Sequence, residues 1–436
     1  MNSQELIHDK TTIYDFNYDR VSTPLLLRRI QYWKEYFTVH EIKSIGLHYY
    51  QCVNSIAILF ACLEKSVTIR TCAYSDFDVD NIIDQVDLII IGQSKKEMHR
   101  PADSKFVLID DLLKIDGPDY TPSDIDLDHV IIDNGDLTYT ANSLILSAQT
   151  TTHFYCVNQP VATIQYTSHV GTLALFFLSP VLAGASIYSC AHLIDMASLL
   201  YKGLVSVVGL YPLHLHALML IEKNINKESP FGQSSFGFKL NECTVMIPGT
   251  TPPPEVCEWA LLRGANRIKV FYGVAELAMP CFVVDIGSPN FDFNARELGA
   301  PLPKVQYRLN SDNQLLVKSP GTNKTLDFDA QGWYNTKDYV IVDNNKLLFK
   351  GRDKINNQYL VDVQNFICGL IENTGIGFSD FSVFKTENGV EIHSYRIQVH
   401  DALLDHRDLL ETELMNFDNI SRIEFNYVDK SQIWKI

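Results

Sequence analysis

The pattern of apolar and polar positions in the first 130 residues alternates between helical and strand periods. Apolar residues recur at helical spacing over 24–37, and 53–63 is apolar on nearly every face, so both segments predict helices. Short apolar runs predict strands over 45–50, 86–91, 106–109 and 130–132. Strands and helices in alternation are typical of a doubly wound parallel sheet, so we predict an α/β fold.

The alternation continues to about residue 296 and then gives way to short β segments. Strands are predicted over 204–210, 243–247 and 268–272, and helices over 213–221 and 254–263. Later strands are predicted over 305–309, 314–318, 339–343, 346–350 and 421–427. We therefore predict a large N-terminal domain over 1–351, which includes a small β subdomain at about 296–351. A small α+β C-terminal domain follows over 352–436.

One uncharged stretch, residues 157–194, contains an apolar run long enough to resemble a membrane helix. Pro180 interrupts this run at mid-length, and no basic flank follows it. We predict instead a buried helix, a turn at Ser179–Pro180 and a strand over 185–189, with no membrane span.

Composition narrows the function classes. Hydrophobic residues make up 46% and charged residues 20% of the 436 residues, which is typical of a globular protein. The net charge of −16 opposes binding to nucleic acid or anionic lipid, because such binding needs clustered cations. Nine cysteines include no C-x-x-C pair, and the N-terminus lacks the features of a signal peptide. We therefore expect reduced thiols and a cytoplasmic protein.

Two segments that follow predicted strands have the composition of ligand sites. In MIPGTTPPP, Gly249 would let a ligand approach the backbone closely. In VFYGVAE, Tyr272 could stack on a base, Gly273 could admit a phosphate and Glu276 could hold Mg²⁺. Open parallel sheets bind ligands at the carboxyl ends of their strands, so both segments are candidates. An ordinary strand end with a packed tyrosine is the alternative.

A third candidate lies in the predicted β subdomain. Asp338 and Arg352 bracket a predicted hairpin whose turn is Asn344–Asn345. A carboxylate beside a guanidinium can clamp a ribose diol, and an exposed ion pair is the alternative. Lys435 stands next to the last residue, where the simplest interpretation is a solvated terminal side chain.

The order and spacing of these segments resemble the adenylate-forming ligase superfamily, which includes acyl-CoA synthetases, adenylation domains of peptide synthetases and firefly luciferase. FYGVAE resembles that family's Y-G-x-T-E, MIPGTTPPPE its G-G-A-x-L-x-P-E turn, and ELGAPLPKV its G-x-P-L-P-x-V. GWYNTKD resembles G-W-F-x-T-G-D, YTSHVG resembles P-x-x-H-x-x-G, and KSQIWKI resembles P-x-T-x-x-G-K-I. The resemblance extends over essentially the whole chain.

The resemblance implies a role for each candidate. Tyr272 would flank adenine, Glu276 would bind Mg²⁺, and Lys435 would be the catalytic lysine. His169 would lie near the substrate carboxylate, with a satisfied core histidine as the alternative. The implied nucleotide contacts are Gly249, Thr250, Thr251, Tyr272, Gly273, Val274, Asp338 and Arg352, and in the family the Asp takes the ribose hydroxyls while the Arg lies at the domain hinge.

The implied activity is the activation of a small carboxylic acid with ATP. The carboxylate attacks the α-phosphate, Lys435 neutralises the developing charge, and pyrophosphate leaves. The acyl-adenylate then passes to a thiol or an amine while the C-terminal domain turns as a lid about Asp353 or Lys354. The implied cofactors are ATP, AMP and Mg²⁺, and the implied acceptors are coenzyme A, a carrier-protein pantetheine or an amine.

The acid would contact residues from 169–178, 209–213 and 250–253. These segments are mostly apolar or small, which favours a neutral acyl or aryl acid.

Three departures from the family pattern bear on this activity: the first two on pyrophosphate handling and the third on thioester formation with coenzyme A. The first, the loss of the phosphate loop, favours a second hypothesis. The family's Ser/Thr/Gly-rich phosphate loop is reduced here to residues 133–136 before a helix expected near Thr138, so two carboxylates stand where phosphates would bind. Ala275 replaces a Thr whose hydroxyl reaches a phosphate, and Gln358 replaces a Gly of the pantetheine tunnel. The alternative is therefore an impaired homologue that binds a nucleotide, an acyl ligand or a protein partner without ATP turnover.

Overall fold

The computed structural model describes most of the chain and divides it into two compact units. The described residues are 1–15, 19–47, 53–71, 85–91, 106–108, 117–133, 137–164, 170–190, 193–228, 237–249, 252, 254–287, 297–321, 326, 328–352, 367, 381–385, 389–394, 397–414 and 422–427. The first unit comprises Met1–Phe291, Gly299–Tyr307 and Val317–Tyr334, and the second comprises Asp292–Leu298, Arg308–Leu316 and Asn335–Ile436. The boundary predicted at residues 351–352 stays a prediction.

Two largely parallel sheets form the framework of the first unit. Their strands are β1 (Thr12–Tyr14), β2 (Arg20–Ser22), β3 (Ser44–Leu47), β4 (Thr68–Thr71), β5 (Leu88–Ile91), β6 (Phe106–Leu108), β7 (Val130–Asp133), β8 (Thr138–Thr140), β9 (Pro160–Thr163), β10 (Ser186–Tyr188), β11 (Val207–Gly209), β12 (Thr244–Pro248), β13 (Arg267–Val274), β14 (Met279–Ile286) and β15 (Ala300–Pro301). One sheet has the order β6-β5-β3-β4-β7-β8, and the other β15-β14-β13-β12-β11-β9-β10-β1-β2. Among these described strands, antiparallel pairing is confined to β1–β2, β7–β8, β13–β14 and β14–β15. The predicted α/β class with doubly wound parallel sheets is confirmed.

Helices cover the faces of these sheets. They are α1 (Ser3–Leu6), α2 (Thr23–Val39), α3 (Val53–Lys65), α4 (Ala141–Thr151), α5 (Val170–Leu173), α6 (Ser179–Ala183), α7 (Leu193–Lys202), α8 (Pro212–Glu228) and α9 (Pro254–Leu262). Every residue of α3 before Lys65 is buried, because the helix is apolar on nearly every face. Trp33 and Phe37 of α2 and Phe60 of α3 are among the largest fully buried side chains, so these two helices contribute much of the core.

The turn predicted at Ser179–Pro180 is wrong. A π-helical turn, Ala174–Leu178, leads directly into α6, and the chain reverses at Gly184 in the left-handed conformation with φ +76°. The Ser179 backbone N–H bonds back five residues to the Ala174 carbonyl, so the helix carries one extra residue in the turn just before Pro180. The Ser179 hydroxyl oxygen lies 2.7 Å from the same carbonyl oxygen. The segment after Gly184 forms β10, as the predicted strand required.

The helix expected near Thr138 begins three residues later. Residues 138–140 form β8, and Thr140 caps α4 by accepting the Ser143 backbone N–H at 3.2 Å. Residues 138–140 are extended because they pair antiparallel with β7, and the helix can begin only after that pairing ends. None of the described helices combines the length with the apolar composition that a membrane span requires.

Two smaller sheets follow along the chain. Their strands are β16 (Gln306–Leu309), β17 (Gln314–Lys318), β18 (Tyr334–Asp343), β19 (Lys346–Arg352), β20 (Phe381–Lys385), β21 (Gly389–Ser394) and β22 (Arg422–Tyr427), with helices α10 (Ile397–Asp405) and α11 (Arg407–Leu414). The sheet orders are β16-β17-β18-β19 and β20-β21-β22. The predicted hairpin is confirmed: Asp343 pairs with Lys346, and Asn344 and Asn345 have φ of 48° and 62°.

The cysteine thiols that the structure describes are mostly buried. Cys156 is exposed, whereas the other five are buried. Burial raises the pKa of Cys243 to about 11 and that of Cys257 and Cys281 to about 12, and it raises the pKa of Cys62 and Cys190 as well. Thiolates are therefore suppressed at these five positions.

Candidate functional site

The strand end that carries Tyr272 and Glu276 has an irregular backbone. The register between β13 and β14 shifts at Tyr272 and Gly273, and the strand then passes into a 3₁₀ turn over Ala275–Leu277. The Tyr272 ring is half-buried and meets Phe282 of β14 edge-on, with the ring centroids 5.9 Å apart. Glu276 lies half-buried in the turn. The tyrosine is only partly buried and Gly273 beside it is exposed, which suits a ring that must also receive a ligand.

Gly273 has a packing reason to be glycine. A Cβ at this position would lie 2.9 Å from both the Met279 carbonyl oxygen and the Pro280 Cα of β14. Real Cβ atoms do not approach backbone so closely, so any side chain here would push the two strands apart. The close approach of β14 therefore explains why residue 273 is glycine, whether or not a phosphate binds there. The predicted phosphate contact stays a prediction.

Gly249 lies beside this strand end and faces open space. It follows β12, which is parallel to β13, so both strands end at the same edge of the sheet. Its backbone N–H donates to the Phe271 carbonyl at 2.8 Å, one residue before Tyr272. Its φ is +86°, and among the described residues, its chain neighbours aside, no heavy atom lies within 4 Å of the position a Cβ would take. This geometry leaves room for a ligand to approach the backbone, and the ligand contact predicted at Gly249 stays a prediction. The neighbouring Thr250 and Thr251 lie outside the described residues.

The short hairpin between β7 and β8 lies next to the Glu276 turn. Tyr139 of β8 is 1% exposed, and its hydroxyl donates to the Ala275 carbonyl at 2.8 Å. Burial raises the pKa of Tyr139, and the charge of Glu276 contributes in the same direction. At the tip, Asp133 pairs with Thr138 across the ladder, and Arg70 of β4 lies 3.2 Å from the Asp133 carboxylate. One of the two carboxylates predicted at this position is therefore ion-paired, and Asp136 lies outside the described residues.

Asp338 is built into β18, within the second unit. It is 1% exposed and stands opposite Arg352 in the ladder between β18 and β19. Its backbone N–H donates to the Thr336 hydroxyl at 3.2 Å, and that hydroxyl donates to the Leu315 carbonyl at 2.9 Å. The preceding residue, Lys337, has φ +60°, so the strand is distorted just before the carboxylate. The alternative of an exposed ion pair is wrong for Asp338, because its side chain is buried.

The described residues suit a magnesium ion held largely by a nucleotide. No group of three or more Asp, Glu, His or Cys side chains forms a metal cage within the described ranges. Mg²⁺ is usually bound through one or two carboxylates together with substrate phosphates, so the single half-buried carboxylate of Glu276 fits that arrangement.

Comparisons with known proteins bear on this geometry. The chain is 16% identical to coronafacic acid ligase from Pectobacterium brasiliense, with a TM-score of 0.64 and coverage of 97% of this chain and 92% of that one. It is 14% identical to ATP-bound MatB from Rhodopseudomonas palustris, with a TM-score of 0.70 and coverage of 99% and 97%. E. coli MenE, solved with an analogue of OSB-AMS, gives 15% identity, a TM-score of 0.63 and coverage of 96% and 92%. These solved structures share the architecture over almost the whole chain.

The chain has the adenylate-forming ligase fold. No protein-family profile matches it. Over 122 residues it is 30% identical to the acyl-CoA ligase oryP of Aspergillus oryzae, a stretch that covers 25% of this chain and 22% of that ligase. The matched stretch thus spans less than a quarter of that relative.

Within the adenylate-forming ligase fold, two of the three segments predicted to contact an acid converge. Thr172 of α5 and Tyr211, which follows β11, have their hydroxyl oxygens 3.1 Å apart. A Cβ on Gly209 would lie 3.0 Å from the Phe176 ring. The ring of Tyr211 meets that of His214 of α8 edge-on, with the ring centroids 5.7 Å apart. Burial lowers the pKa of His214 to about 4, so its imidazole is neutral at pH 7. The third segment, 250–253, lies mostly outside the described residues.

Two residues at these sites escaped the sequence reasoning. Tyr139 lies in Leu-Thr-Tyr-Thr, whose alternation of apolar and polar residues is a strand signal, whereas a helix is expected to begin near Thr138. His214 adjoins a segment that was singled out, 209–213. His169 and Lys435 lie outside the described residues, so their roles stay predictions. For Arg352 the structure describes the backbone position in β19, and its predicted contact with the ribose stays a prediction.

Proposed function

We propose that this protein is an ATP-dependent, AMP-forming acid ligase that converts a small carboxylic acid to an acyl-adenylate. The observation that carries the proposal is the strand-end geometry, in which open Gly249 is tied to Phe271 beside Tyr272 and Glu276. The adenylate-forming ligase fold over almost the whole chain supports it.

The nucleotide would lie at the carboxyl ends of β12 and β13. Adenine would stack on Tyr272 and contact the backbone from Gly249 through Thr251 and at Gly273–Val274, while Asp338 and Arg352 would hold the ribose hydroxyls. Asp338 is suited to this role because a buried carboxylate accepts hydrogen bonds more strongly than a solvated one. Mg²⁺ bound through Glu276 would supply electrostatic stabilisation of the phosphates.

The reaction would proceed by attack of the substrate carboxylate on the α-phosphorus of ATP. The bond to the bridging oxygen breaks, and pyrophosphate leaves with that electron pair. Lys435 would neutralise the charge that develops on the carboxylate and the α-phosphate, and His169 would lie near the carboxylate. The acyl-adenylate would then pass to coenzyme A, a carrier-protein thiol or an amine, with AMP as the leaving group and residues 352–436 turning as a lid.

The acid-binding side would be lined by Thr172, Tyr211 and the aromatic ring of Phe176. Two hydroxyls on an otherwise apolar wall, beside a neutral His214, favour an uncharged acyl or aryl tail that carries a hydrogen-bonding group over a charged one. Coronafacic acid ligase, which shares the fold, is named for a small carboxylic acid. A cytoplasmic location remains a prediction from the sequence.

The test is exchange of labelled pyrophosphate into ATP, run with a panel of neutral aliphatic and aryl acids. We expect exchange that depends on one class of acid and is lost in Lys435→Ala, with AMP binding retained in that variant. Exchange that persists in Lys435→Ala would contradict the assigned role. Absence of binding by both Mg²⁺·ATP and AMP in calorimetry would reject the proposal as a whole.

A second function, nucleotide or acyl-ligand binding without turnover, is favoured by one observation. Asp133 pairs with Thr138, so only residues 134–137 join β7 to β8 where the family has a long phosphate loop. If AMP binds and ATP does not, and no acid supports exchange, this second function replaces the first.

A further inference from the structure

The turn that carries Glu276 depends on one backbone carbonyl. The Ala275 carbonyl oxygen accepts the Ala278 backbone N–H at 3.0 Å, which closes the 3₁₀ turn, and it also accepts the Tyr139 hydroxyl at 2.8 Å. A carbonyl oxygen has two lone pairs, so these two bonds use its full capacity. Ala278 is left-handed, with φ +55°, and no side chain caps the turn at Val274. Burial of Leu277 anchors the end of the turn, and the Tyr139 hydroxyl joins its first residue to the β7–β8 hairpin.

Tyr139 is itself held rigidly. Its side chain is 1% exposed on a strand that pairs with β7, with Ile132 as its partner in the ladder. A buried tyrosine hydroxyl must find an acceptor, and the Ala275 carbonyl is the acceptor it has. The phenol thus transmits the position of the hairpin to the residue immediately before Glu276.

We propose that Tyr139 is the positioning residue for the Mg²⁺-binding carboxylate: its hydrogen bond to the Ala275 carbonyl fixes the turn that presents Glu276 to the metal of Mg²⁺·ATP. This inference rests on the proposed function and adds to it a residue outside the recognised motifs. Partners that orient a metal ligand typically change metal affinity by about tenfold or more when removed.

The chain provides a matched control. Tyr155 is also buried, at 5% exposure, and its hydroxyl likewise donates to a backbone carbonyl, that of Leu175, at 2.8 Å. Tyr155→Phe therefore removes the same kind of hydrogen bond from the same unit without touching the Glu276 turn. Both variants should lower the melting temperature of the full chain by similar amounts.

The experiment is calorimetric titration of ATP at a series of Mg²⁺ concentrations, with AMP titrated in EDTA. In Tyr139→Phe we expect the Mg²⁺ concentration for half-maximal ATP binding to rise about tenfold, with AMP affinity unchanged within about twofold. Tyr155→Phe should leave both quantities at their wild-type values. In a Glu276→Gln background, Tyr139→Phe should cause no additional shift, because the two residues act in series.

Equal Mg²⁺ dependence in Tyr139→Phe and the wild type would overturn the inference while leaving the proposed function standing. Equal shifts in the two Tyr→Phe variants would also overturn it, since both would then report stability alone. If the wild-type protein binds neither nucleotide, or binds ATP without regard to Mg²⁺, the proposed metal site fails and the inference fails with it.

Discussion

The β18–β19 hairpin and the strand ends from Gly249 to Glu276 are built by different means. The hairpin follows from local chemistry, because two successive asparagines adopt the left-handed conformation and set the register from Asp343 back to Val340, beyond which the ladder shifts by one residue before Asp338. The strand ends depend on contacts far apart in sequence, such as the bond from Tyr139 to Ala275. A locally specified element tolerates changes elsewhere, whereas a contact-built one changes when a distant partner is altered.

The largest effect should come from Asp338→Asn. We expect it to weaken ATP and AMP binding equally, by roughly tenfold to a hundredfold, because a charge-assisted bond to the ribose common to both is replaced by a neutral one. Calorimetry with both nucleotides measures this. Asp343→Asn, at the exposed end of the same strand, is the control and should change neither affinity. A loss confined to ATP would contradict the ribose assignment.

The next effect is a pH dependence that originates outside both regions, at His214 of α8. Burial lowers the folded-state pKa of His214 to about 4, whereas its unfolded value is 6.5. The unfolded chain therefore binds more protons between these values, so stability is present above pH 6.5 and is lost as the pH falls towards 4. From pH 7 to pH 5 the loss from this group should be about 2 kcal/mol.

Urea unfolding of the wild type and His214→Gln at both pH values isolates this contribution. The free energy of unfolding of the variant should fall between pH 7 and pH 5 by about 2 kcal/mol less than that of the wild type. Identical slopes would mean that His214 is as solvated in the folded protein as in the unfolded one.

The stability of the Asn344–Asn345 turn should depend on the backbone preference of the residue at position 345. Asn345→Val puts a β-branched residue at φ 62° and should lower the free energy of unfolding by about 1 kcal/mol. Asn345→Gly should be neutral or slightly stabilising, because glycine adopts this conformation without strain. Urea midpoints give both values, and equal destabilisation by Val and Gly would show that the asparagine side chain, not its backbone, matters.

The smallest effect is expected at the tip of the β7–β8 hairpin. Arg70→Gln removes a partly exposed ion pair with Asp133, so stability should fall by less than about 1 kcal/mol. The uncompensated carboxylate should weaken ATP binding relative to AMP by up to about fivefold, and Asp133→Asn should change that ratio in the opposite direction. A shift of both variants in the same direction would mean that no phosphate binds near this tip.

The difference between locally specified elements and elements that depend on distant contacts explains which features could be predicted from the sequence. The hairpin turn at Asn344–Asn345 and the strand before Tyr272 follow from short-range pattern and turn residues, and both were predicted. The packing reason for Gly273 comes from a neighbouring strand that no local pattern reveals. Tyr139 was missed for the same reason, since its partner lies 136 residues away. His169 and Lys435 rest on resemblance alone.

The π-helical turn at Ala174–Leu178 has a consequence for the phase of the helix around it. A π turn contains one more residue than an α turn, so the side chains that follow are rotated by one residue, about 100°, relative to a continuous α-helix. That rotation directs the Ser179 hydroxyl to the Ala148 carbonyl of α4, 2.8 Å away. Excision of a single residue from the turn would restore regular winding and carry Ser179 around the helix axis, away from α4. The extra residue therefore keeps the Ser179 hydroxyl on the side of the helix that contacts α4.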